Sequence, residues 1–262
     1  MTKVLLVGCG KMGSALLAGW LDRGVDAADV VVVDPSAPTL GVAVVAGAAD
    51  IPAGFDPDVV VLAVKPQVMA EVLPPYGRFK PAVFLSIAAG KPIAFFRSHL
   101  GDDAAIVRAM PNTPAAVRRG ITVCCAGAEV DAARRTLCQS LLEAVGEVGW
   151  VADEGLMDVV TAVSGSGPAY VFLLAEVMAA AGIAQGLPPD LAARLARATV
   201  SGSGELLRQS SDSAEQLRRN VTSPGGTTAA ALAVLMAEDG GFARLMDAAV
   251  AAATRRGREL AG

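Results

Sequence analysis

The chain has few side chains that act as strong bases near neutral pH. It contains one histidine, His99, and five lysines, all of them in the first third or so of the sequence. The lysines are Lys3, Lys11, Lys65, Lys80 and Lys91. An enzyme that oxidises an alcohol needs a general base for the hydroxyl proton, usually a histidine or a lysine. Because His99 lies in a charged stretch, we expect a solvated surface group, and the second half of the chain offers neither residue type.

Cysteine is also scarce and is not arranged for metal binding. The four cysteines are scattered along the chain and lack the paired spacing of metal ligands. They are Cys9, Cys124, Cys125 and Cys138. This usage predicts reduced thiols in the core of a cytosolic protein and no metal site.

Two further absences concern nucleic acids and membranes. The formal net charge is -4, and the sequence lacks the clustered basic face of a nucleic-acid-binding protein. The best apolar stretch, Val171–Ala184, is interrupted by Glu176 and is shorter than the ~20 residues that a membrane span requires. The N-terminus has the pattern of a core strand, without the separate apolar region and cleavage site of a signal peptide. We therefore expect a cytoplasmic protein with no nucleic-acid and no membrane partner.

The most informative stretch that is present is a glycine-rich turn near the start of the chain. An apolar run, Val4–Val7, predicts a buried strand, and a helical run, Ser14–Arg23, follows the turn. The turn, spaced G-x-G-x-x-G, consists of Gly8, Cys9, Gly10, Lys11, Met12 and Gly13. In this spacing the first glycine permits the tight turn, the second lets a pyrophosphate approach the backbone, and the third lets the helix pack against the strand. The pattern predicts a dinucleotide site, and the alternative is a tight turn that binds nothing.

An acidic residue follows the next apolar run, about twenty residues beyond the glycine turn. Val30–Val33 predicts a second buried strand that ends at Asp34. An acid at this place accepts hydrogen bonds from an adenosine ribose, and its charge repels a 2′-phosphate. Asp34 also precedes Pro35, which is typical of a turn. We expect Asp34 to serve both roles and, with Asp50 adding to the acidity, to favour NADH over NADPH.

Apolar runs alternate with helical patterns through the first half of the chain, which predicts an α/β fold with a Rossmann-type doubly wound parallel sheet. The further strands are predicted at Val59–Val64, Ala82–Ile87, Ala105–Arg108, Ile121–Ala126 and Glu147–Val151, the last two extending one edge of the sheet and flanking a helix at Asp131–Ala144. Ligands bind outside the carboxyl ends of such strands. Lys65, Ser86–Gly90 and Met110–Pro114 fall at these ends.

Strand patterns stop near Asp153, and helical patterns follow. The predicted helices are Glu154–Ala162, Pro168–Gln185, Pro189–Gln209, Ser213–Arg219, Thr227–Glu238 and Phe242–Leu260. We therefore predict a dinucleotide-binding domain at 1–153 and a helical domain at 154–262. Pro168–Ala184 and Ala229–Ala237 are apolar on every face, and a helix of this kind must be buried. A domain of about a hundred residues has little room for several such helices, so we expect a homodimer built through them.

Two glycine-rich junctions precede long helices in the second half. They are Ser164–Tyr170 and Val221–Thr228. Each offers backbone N–H groups and hydroxyls at a helix start, which is suited to a carboxylate or a phosphate. The alternative for each is ordinary helix capping. Two of them favour a small anionic substrate.

The scarcity of bases then bears on the reacting group. A cyclic imine needs no enzymatic base, because its nitrogen takes a proton from water before the hydride arrives. The sequence therefore favours an imine as the acceptor, although Lys65 or a Ser/Thr hydroxyl remains available as a proton donor.

Six motifs in order resemble those of the pyrroline-5-carboxylate reductase family, over essentially the whole chain. The residues that carry the resemblance are Gly8–Gly13, Ala63–Pro66, Ser86–Gly90, Arg108–Pro114, Val163–Phe172 and Ser223–Thr228. The resemblance implies hydride transfer from NADPH or NADH to Δ1-pyrroline-5-carboxylate, giving L-proline in the last step of proline biosynthesis.

The resemblance also implies roles for individual residues. The cofactor would be held by the glycine turn and, in addition to the ribose contact expected from Asp34, by residues of three loops, namely Ala63, Val64, Lys65, Pro66, Ala88, Ala89, Gly90, Pro111 and Asn112. The substrate carboxylate would be bound by Ser223, Gly225, Gly226, Thr227 and Thr228. Thr228 would place its hydroxyl near the ring nitrogen, as an orienting group or a proton donor. The family forms its dimer through C-terminal helices, completes the site across the subunit interface and often assembles five dimers into a decamer.

The chain departs from the family pattern at several positions. Asp34 stands where the family usually has a hydroxyl residue, and Asp50 stands where it often has an Asn. The two acidic residues oppose the family's preference for NADPH. Many members carry an acid at the position of Ala180 and an Asp at that of Arg219. Three other functions stay open: a β-hydroxyacid dehydrogenase, another cyclic-imine reductase, and a nucleotide-sensing module without catalysis.

Overall fold

An eight-stranded sheet organises the first half of the protein, as described by a computed structural model that defines residues 2–36 and 41–261. The spatial order of the strands is β3-β2-β1-β4-β5-β6-β7-β8. The strands are β1 Val4–Val7, β2 Val30–Val33, β3 Ala43–Val45, β4 Val59–Leu62, β5 Val83–Ser86, β6 Ala105–Met110, β7 Gly120–Ala126 and β8 Gly146–Val151.

Most neighbouring strands are parallel, and the order of the strands reverses at β1. Val4 of β1 lies opposite Val30 of β2 on one side and Val59 of β4 on the other. From β3 to β6 all pairs are parallel, so the carboxyl ends of these strands share one edge of the sheet. This confirms the predicted Rossmann-type α/β class.

Two features of the sheet differ from the prediction. β7 runs antiparallel to β6, with Arg108 opposite Cys125, and β8 is parallel to β7. A parallel neighbour needs a crossover of a dozen residues or more, and only the short segment 111–119 connects β6 to β7. β3 was not predicted, because a three-residue strand with one exposed and two half-buried residues gives too short an apolar run.

The strands β1, β2, β4 and β5 are buried along their whole length, which explains their apolar runs. One layer packs around Trp20, whose indole N–H donates to the carbonyl oxygen of Leu141 at 2.9 Å. The other layer packs around Phe84 and Phe96, both fully buried. The helices are α1 Lys11–Asp22, α2 Met69–Val72, α3 Ile93–Leu100, α4 Ala132–Leu142, α5 Met157–Val160, α6 Gly167–Ala184, α7 Pro189–Gln209, α8 Ala214–Asn220, α9 Thr227–Leu235 and α10 Phe242–Ala261.

The segment predicted as one helix at Glu154–Ala162 is built from three kinds of turn. A 3-10 turn spans Glu154–Leu156, α5 follows, and a π-helical turn spans Thr161–Gly165. Residues 154–184 thus run as a continuous helical segment of 31 residues, which by length and composition alone is long enough to cross a membrane. The expectation that length excludes a span was therefore wrong, because it considered only Val171–Ala184.

The chain divides into two compact units. Unit 1 comprises the residues up to Gly165 together with those from Ala253 onward, and unit 2 comprises Ser166–Ala252. The predicted domain boundary between 153 and 154 stays a prediction. In unit 2 each residue of α6 is at least partly exposed in the single chain, and the exposed side chains include Phe172 and Leu173. The expected apolar surface is therefore present.

All four cysteines are buried free thiols, in agreement with the prediction of core thiols. Burial raises the pKa of Cys138 to about 12 and also raises the pKa of Cys124. Across the described ranges, no three His, Cys, Asp or Glu side chains are grouped so as to hold a metal ion.

Candidate functional site

The glycine turn between β1 and α1 is shaped by two close contacts and leaves one glycine open. Gly8 has φ +90°, and a Cβ there would lie 2.8 Å from Cγ1 of Val64. A Cβ on Gly13 would lie 2.5 Å from the carbonyl oxygen of Gly8. These two glycines are required by the fold itself. A Cβ on Gly10 would meet no heavy atom within 4 Å, so the space above Gly10 is available to a ligand.

The start of α1 supplies the donors that this space calls for. Gly10 is the N-cap residue and makes no side-chain capping bond, and the first turn of the helix carries no acidic residue. The N–H groups of Lys11, Met12 and Gly13 therefore lack the intrahelical acceptors that later residues have. A helix start of this kind attracts a phosphate through its N–H groups and its partial positive charge. The residues present fit the pyrophosphate of a dinucleotide.

Asp34 ties the end of β2 to the glycine turn. One carboxylate oxygen accepts the backbone N–H of Cys9 at 2.7 Å, and the other accepts that of Ser36 at 2.8 Å. The bond to Ser36 is the turn predicted for this aspartate. The bond to Cys9 adds a contact that the sequence did not reveal, and each oxygen retains a lone pair for a further donor. The ribose role of Asp34 stays a prediction. The Asp50 carboxylate accepts the N–H of Gly47 at 3.0 Å within a 3-10 turn.

The loops predicted to hold the cofactor follow neighbouring parallel strands. After β4, Ala63 donates its N–H to the carbonyl of Val7 at 2.7 Å, which fixes this loop beside the glycine turn, while the Lys65 side chain is exposed. After β5, the fully buried hydroxyl oxygen of Ser86 accepts the N–H of Ala88 at 3.2 Å. The sheet therefore aligns the loops along one edge.

The loop after β6 is held by the side chain of Asn112. Its Oδ1 accepts the N–H of Ile121 at 3.0 Å, and its Nδ2 donates to Oγ of Ser164 at 3.3 Å. Pro111 before it is buried. Ser164 belongs to the π-helical turn, so a bond over 52 residues joins this turn to the predicted cofactor loop. Sequence reasoning placed Ser164 in a junction suited to a carboxylate or a phosphate, but it did not connect Ser164 with Asn112.

A buried arginine lies three residues before Pro111, and sequence reasoning named it in a motif without giving it a role. Arg108 in β6 is 6% exposed, and its guanidinium lies 3.1 Å from Glu154 and 3.8 Å from Asp158. The same oxygen of Glu154 accepts the N–H of Ile93 at the start of α3, at 2.8 Å. A charged residue inside the apolar run Ala105–Met110 was the available signal. The pair fixes the segment that leads to the π-helical turn.

In unit 2, the predicted substrate turn places a hydroxyl and open N–H groups together. Gly225 has φ +69°, and the N–H of Gly226 donates to the carbonyl of Ser223 at 3.1 Å. A Cβ on Gly226 would collide with Oγ of Ser223, so the Ser223 hydroxyl lies directly beside the start of α9. Gly226 is the N-cap and makes no side-chain capping bond. The N–H groups of Thr227 and Thr228 and the Ser223 hydroxyl suit a small carboxylate.

His99, the histidine considered as a base, belongs neither to the glycine turn nor to the turn at Ser223–Thr228. His99 is half-buried in the last turn of α3, with Nδ1 2.8 Å from the carbonyl of Phe95 and its ring against the Phe95 ring. The prediction of a solvated group was therefore wrong, because a residue four positions away on the same helix covers the imidazole.

Known protein families match both halves of the chain. A family model described as pyrroline-5-carboxylate reductase dimerisation matches residues 154–260, and one described as NADP oxidoreductase, coenzyme F420-dependent, matches residues 3–90. The pyrroline-5-carboxylate reductase of Pseudomonas aeruginosa is 42% identical, with 99% of this chain and 97% of that protein covered.

Two solved structures extend the likeness to the fold. A pyrroline-5-carboxylate reductase from Coxiella burnetii matches with a TM-score of 0.92 and 34% identity, covering 100% of this chain and 99% of the other. The pyrroline carboxylate reductase of Plasmodium falciparum, solved with NADP bound, matches with a TM-score of 0.85 and 30% identity, covering 100% and 98%.

Proposed function

The chain belongs to the pyrroline-5-carboxylate reductase family, and we propose which of its residues carry out the reduction of Δ1-pyrroline-5-carboxylate to L-proline with NAD(P)H. The single observation that supports these roles most strongly is the open space above Gly10 at a helix start with unpaired donors. The reaction is the last step of proline biosynthesis. A bound NADH or NADPH supplies the hydride.

The cofactor is held, in this proposal, along the carboxyl edge of the sheet. The N–H groups of Lys11, Met12 and Gly13 bind the pyrophosphate, and Asp34 binds the adenosine ribose on the side of β2. The loops after β4, β5 and β6 then hold the nicotinamide half, because the dinucleotide crosses the sheet where the strand order reverses. Those loops contain Ala63, Val64, Lys65, Pro66, Ala88, Ala89, Gly90, Pro111 and Asn112.

The substrate is held by the turn at Ser223–Thr228. The Ser223 hydroxyl and the N–H groups that follow Gly226, those of Thr227 and Thr228, bind the carboxylate, and the permissive backbone of Gly225 allows the turn to close around it. Thr228 directs its hydroxyl to the ring nitrogen and orients or protonates it. Since the imine nitrogen takes a proton readily from water, positioning and exclusion of water are the larger contributions of the protein.

We further propose that the chain uses NADH in preference to NADPH. The Asp34 carboxylate is half-buried beside the glycine turn and would meet a 2′-phosphate with a like charge. The related Plasmodium falciparum protein was solved with NADP, so a preference for NADH would be a departure within the family. The relevant measurement is the ratio of kcat/KM for the two cofactors in the wild type and in Asp34→Ser.

The assay that tests the proposed function follows the loss of reduced cofactor at 340 nm with pyrroline-5-carboxylate, a hydroxyacid or no added substrate. Turnover with the imine alone supports the proposal. Turnover with the hydroxyacid would instead support a β-hydroxyacid dehydrogenase, which is disfavoured because no lysine follows Lys91. Cofactor binding without turnover of any substrate, another cyclic imine included, would support a nucleotide-sensing module.

In the Asp34→Ser variant we expect the ratio of kcat/KM for the two cofactors to move towards NADPH by about tenfold, that is about 1.4 kcal/mol of cofactor discrimination.

The helices of the second half mediate homo-oligomerisation in this family. We propose a homodimer formed through α6 and its neighbours and further assembly of five dimers, and sedimentation measures both. We also propose a cytoplasmic protein whose partner is a small cyclic imine acid, without nucleic acid or membrane.

A further inference from the structure

The side chain of Asn112 has its orientation fixed by a backbone donor. The N–H of Ile121 lies 3.0 Å from the Asn112 side chain and needs an oxygen there, because a backbone N–H only donates. The amide oxygen therefore faces Ile121, and the amide nitrogen faces Ser164. This resolves the usual ambiguity between the two ends of an amide.

The orientation of the amide determines what Ser164 does in return. Because the Asn112 nitrogen donates across the 3.3 Å contact, the Ser164 oxygen accepts, and its own proton is not used in that bond. Within the described part of the chain, the Ser164 hydroxyl takes part in one hydrogen bond, which it accepts from Asn112. A hydroxyl has one proton to donate and two lone pairs, so Ser164 retains a donor.

The segment that carries Ser164 is packed in place. It is the π-helical turn Thr161–Gly165, a form of helix that occurs often at functional sites. The Thr161 hydroxyl donates to the carbonyl of Met157 at 2.8 Å. A Cβ on Gly165 would lie 2.5 Å from Cε of Met110, so this glycine lets the turn sit against the end of β6. Ser164 is half-buried as a result.

The strand order indicates which half of a bound dinucleotide would contact the Ser164 hydroxyl. Asp34 follows β2, on one side of β1, whereas Asn112 follows β6, on the side of β4 and β5. The two halves of a dinucleotide bind on opposite sides of the reversal. We propose that Ser164 is a positioning residue for the nicotinamide half, donating its hydroxyl proton to the carboxamide oxygen while Asn112 holds its orientation. This deepens the proposed function and depends on it.

The experiment measures cofactor binding rather than turnover. Kd for NADH and for ADP-ribose, which lacks the nicotinamide, is measured by calorimetry on purified wild type, Ser164→Ala, Ser164→Thr and Ser140→Ala. Ser140 lies on the exposed face of α4, where its hydroxyl donates to the carbonyl of Leu137 in the same helix at 2.8 Å, so it is the matched control. We expect a three- to tenfold weaker Kd for NADH in Ser164→Ala, since one neutral hydrogen bond is lost, and an unchanged Kd for ADP-ribose. Ser164→Thr should restore NADH binding to within about twofold.

Other outcomes would overturn the inference. An equal loss for NADH and ADP-ribose would mean that Ser164 only supports the fold of the loop, and unchanged binding of both would mean that its hydroxyl meets no cofactor. Both results differ from failure of the proposed function, which would appear as absence of imine-dependent turnover in the wild type.

Discussion

The two compact units of the chain bury their apolar residues in different ways. In unit 1 the strands are covered on both faces within one chain, and the largest buried side chains, Trp20, Phe84 and Phe96, all lie there. In unit 2 the apolar helices remain open, with Phe172 67% exposed. A monomeric protein rarely leaves a large contiguous apolar surface in water. Unit 1 therefore completes its core alone, whereas unit 2 requires another copy of the chain, in agreement with the dimerisation model that covers it.

The difference between the two units is tested most directly by placing a charge on the apolar surface of unit 2. In Phe172→Glu we expect the Kd of the dimer to rise more than a hundredfold, because burial of an unpaired carboxylate costs about 3 kcal/mol or more. Analytical ultracentrifugation checks this. Val117→Glu is the matched control, since Val117 is 70% exposed on unit 1. If Val117→Glu dissociates the dimer and Phe172→Glu does not, the assignment of the two surfaces is wrong.

The self-contained core of unit 1 is tested at its buried ion pair. Arg108→Ala leaves Glu154 and Asp158 without their cation, and we expect the free energy of unfolding to fall by about 3 kcal/mol. Arg256→Ala, which removes an exposed pair with Glu259, should cost less than about 0.5 kcal/mol. Urea unfolding at fixed protein concentration, followed by tryptophan fluorescence, reports on unit 1 because both tryptophans lie there. Equal losses in the two variants would contradict the account.

A smaller effect is expected from alkaline pH, and it concerns unit 1 alone. Burial raises the pKa of Tyr76 to about 12, as it does for Cys138. Because the folded protein holds these protons more tightly than the unfolded chain, the stabilising effect is complete below about pH 9 for Tyr76 and below about pH 8 for Cys138, and it is lost as the pH rises towards 12. In Tyr76→Phe the fall in Tm from pH 9 to pH 11 should be shallower by a few degrees, at roughly 2–4 °C per kcal/mol. The same slope in both proteins would remove Tyr76 from this explanation.

The regular parts of unit 1 were predictable because their information is local. β1, β2 and β4 are continuous apolar runs, β5 is apolar up to Ser86, and Gly8, Gly10 and Gly13 are spaced as the phosphate turn requires. β3 was missed because it is short and half-exposed, and the direction of β7 was missed because it depends on the length of a connection.

The unpredicted parts of the site depend on contacts between distant residues. The bond from Asn112 to Ser164 spans 52 residues, and the contact of Arg108 with Glu154 spans 46. The π-helical turn has no periodicity that separates it from an α-helix in the sequence. The residues of the substrate turn came from the resemblance to a family, and their roles remain predictions.

The central claim is that one turn in unit 2 positions the imine while unit 1 holds the cofactor. The measurement is kcat for pyrroline-5-carboxylate reduction in Thr228→Ala beside its Kd for NADH. We predict a kcat at least tenfold lower than in the wild type, because a positioned donor at the ring nitrogen is lost, with Kd for NADH unchanged. An unchanged kcat, or a loss confined to NADH binding, would contradict the claim.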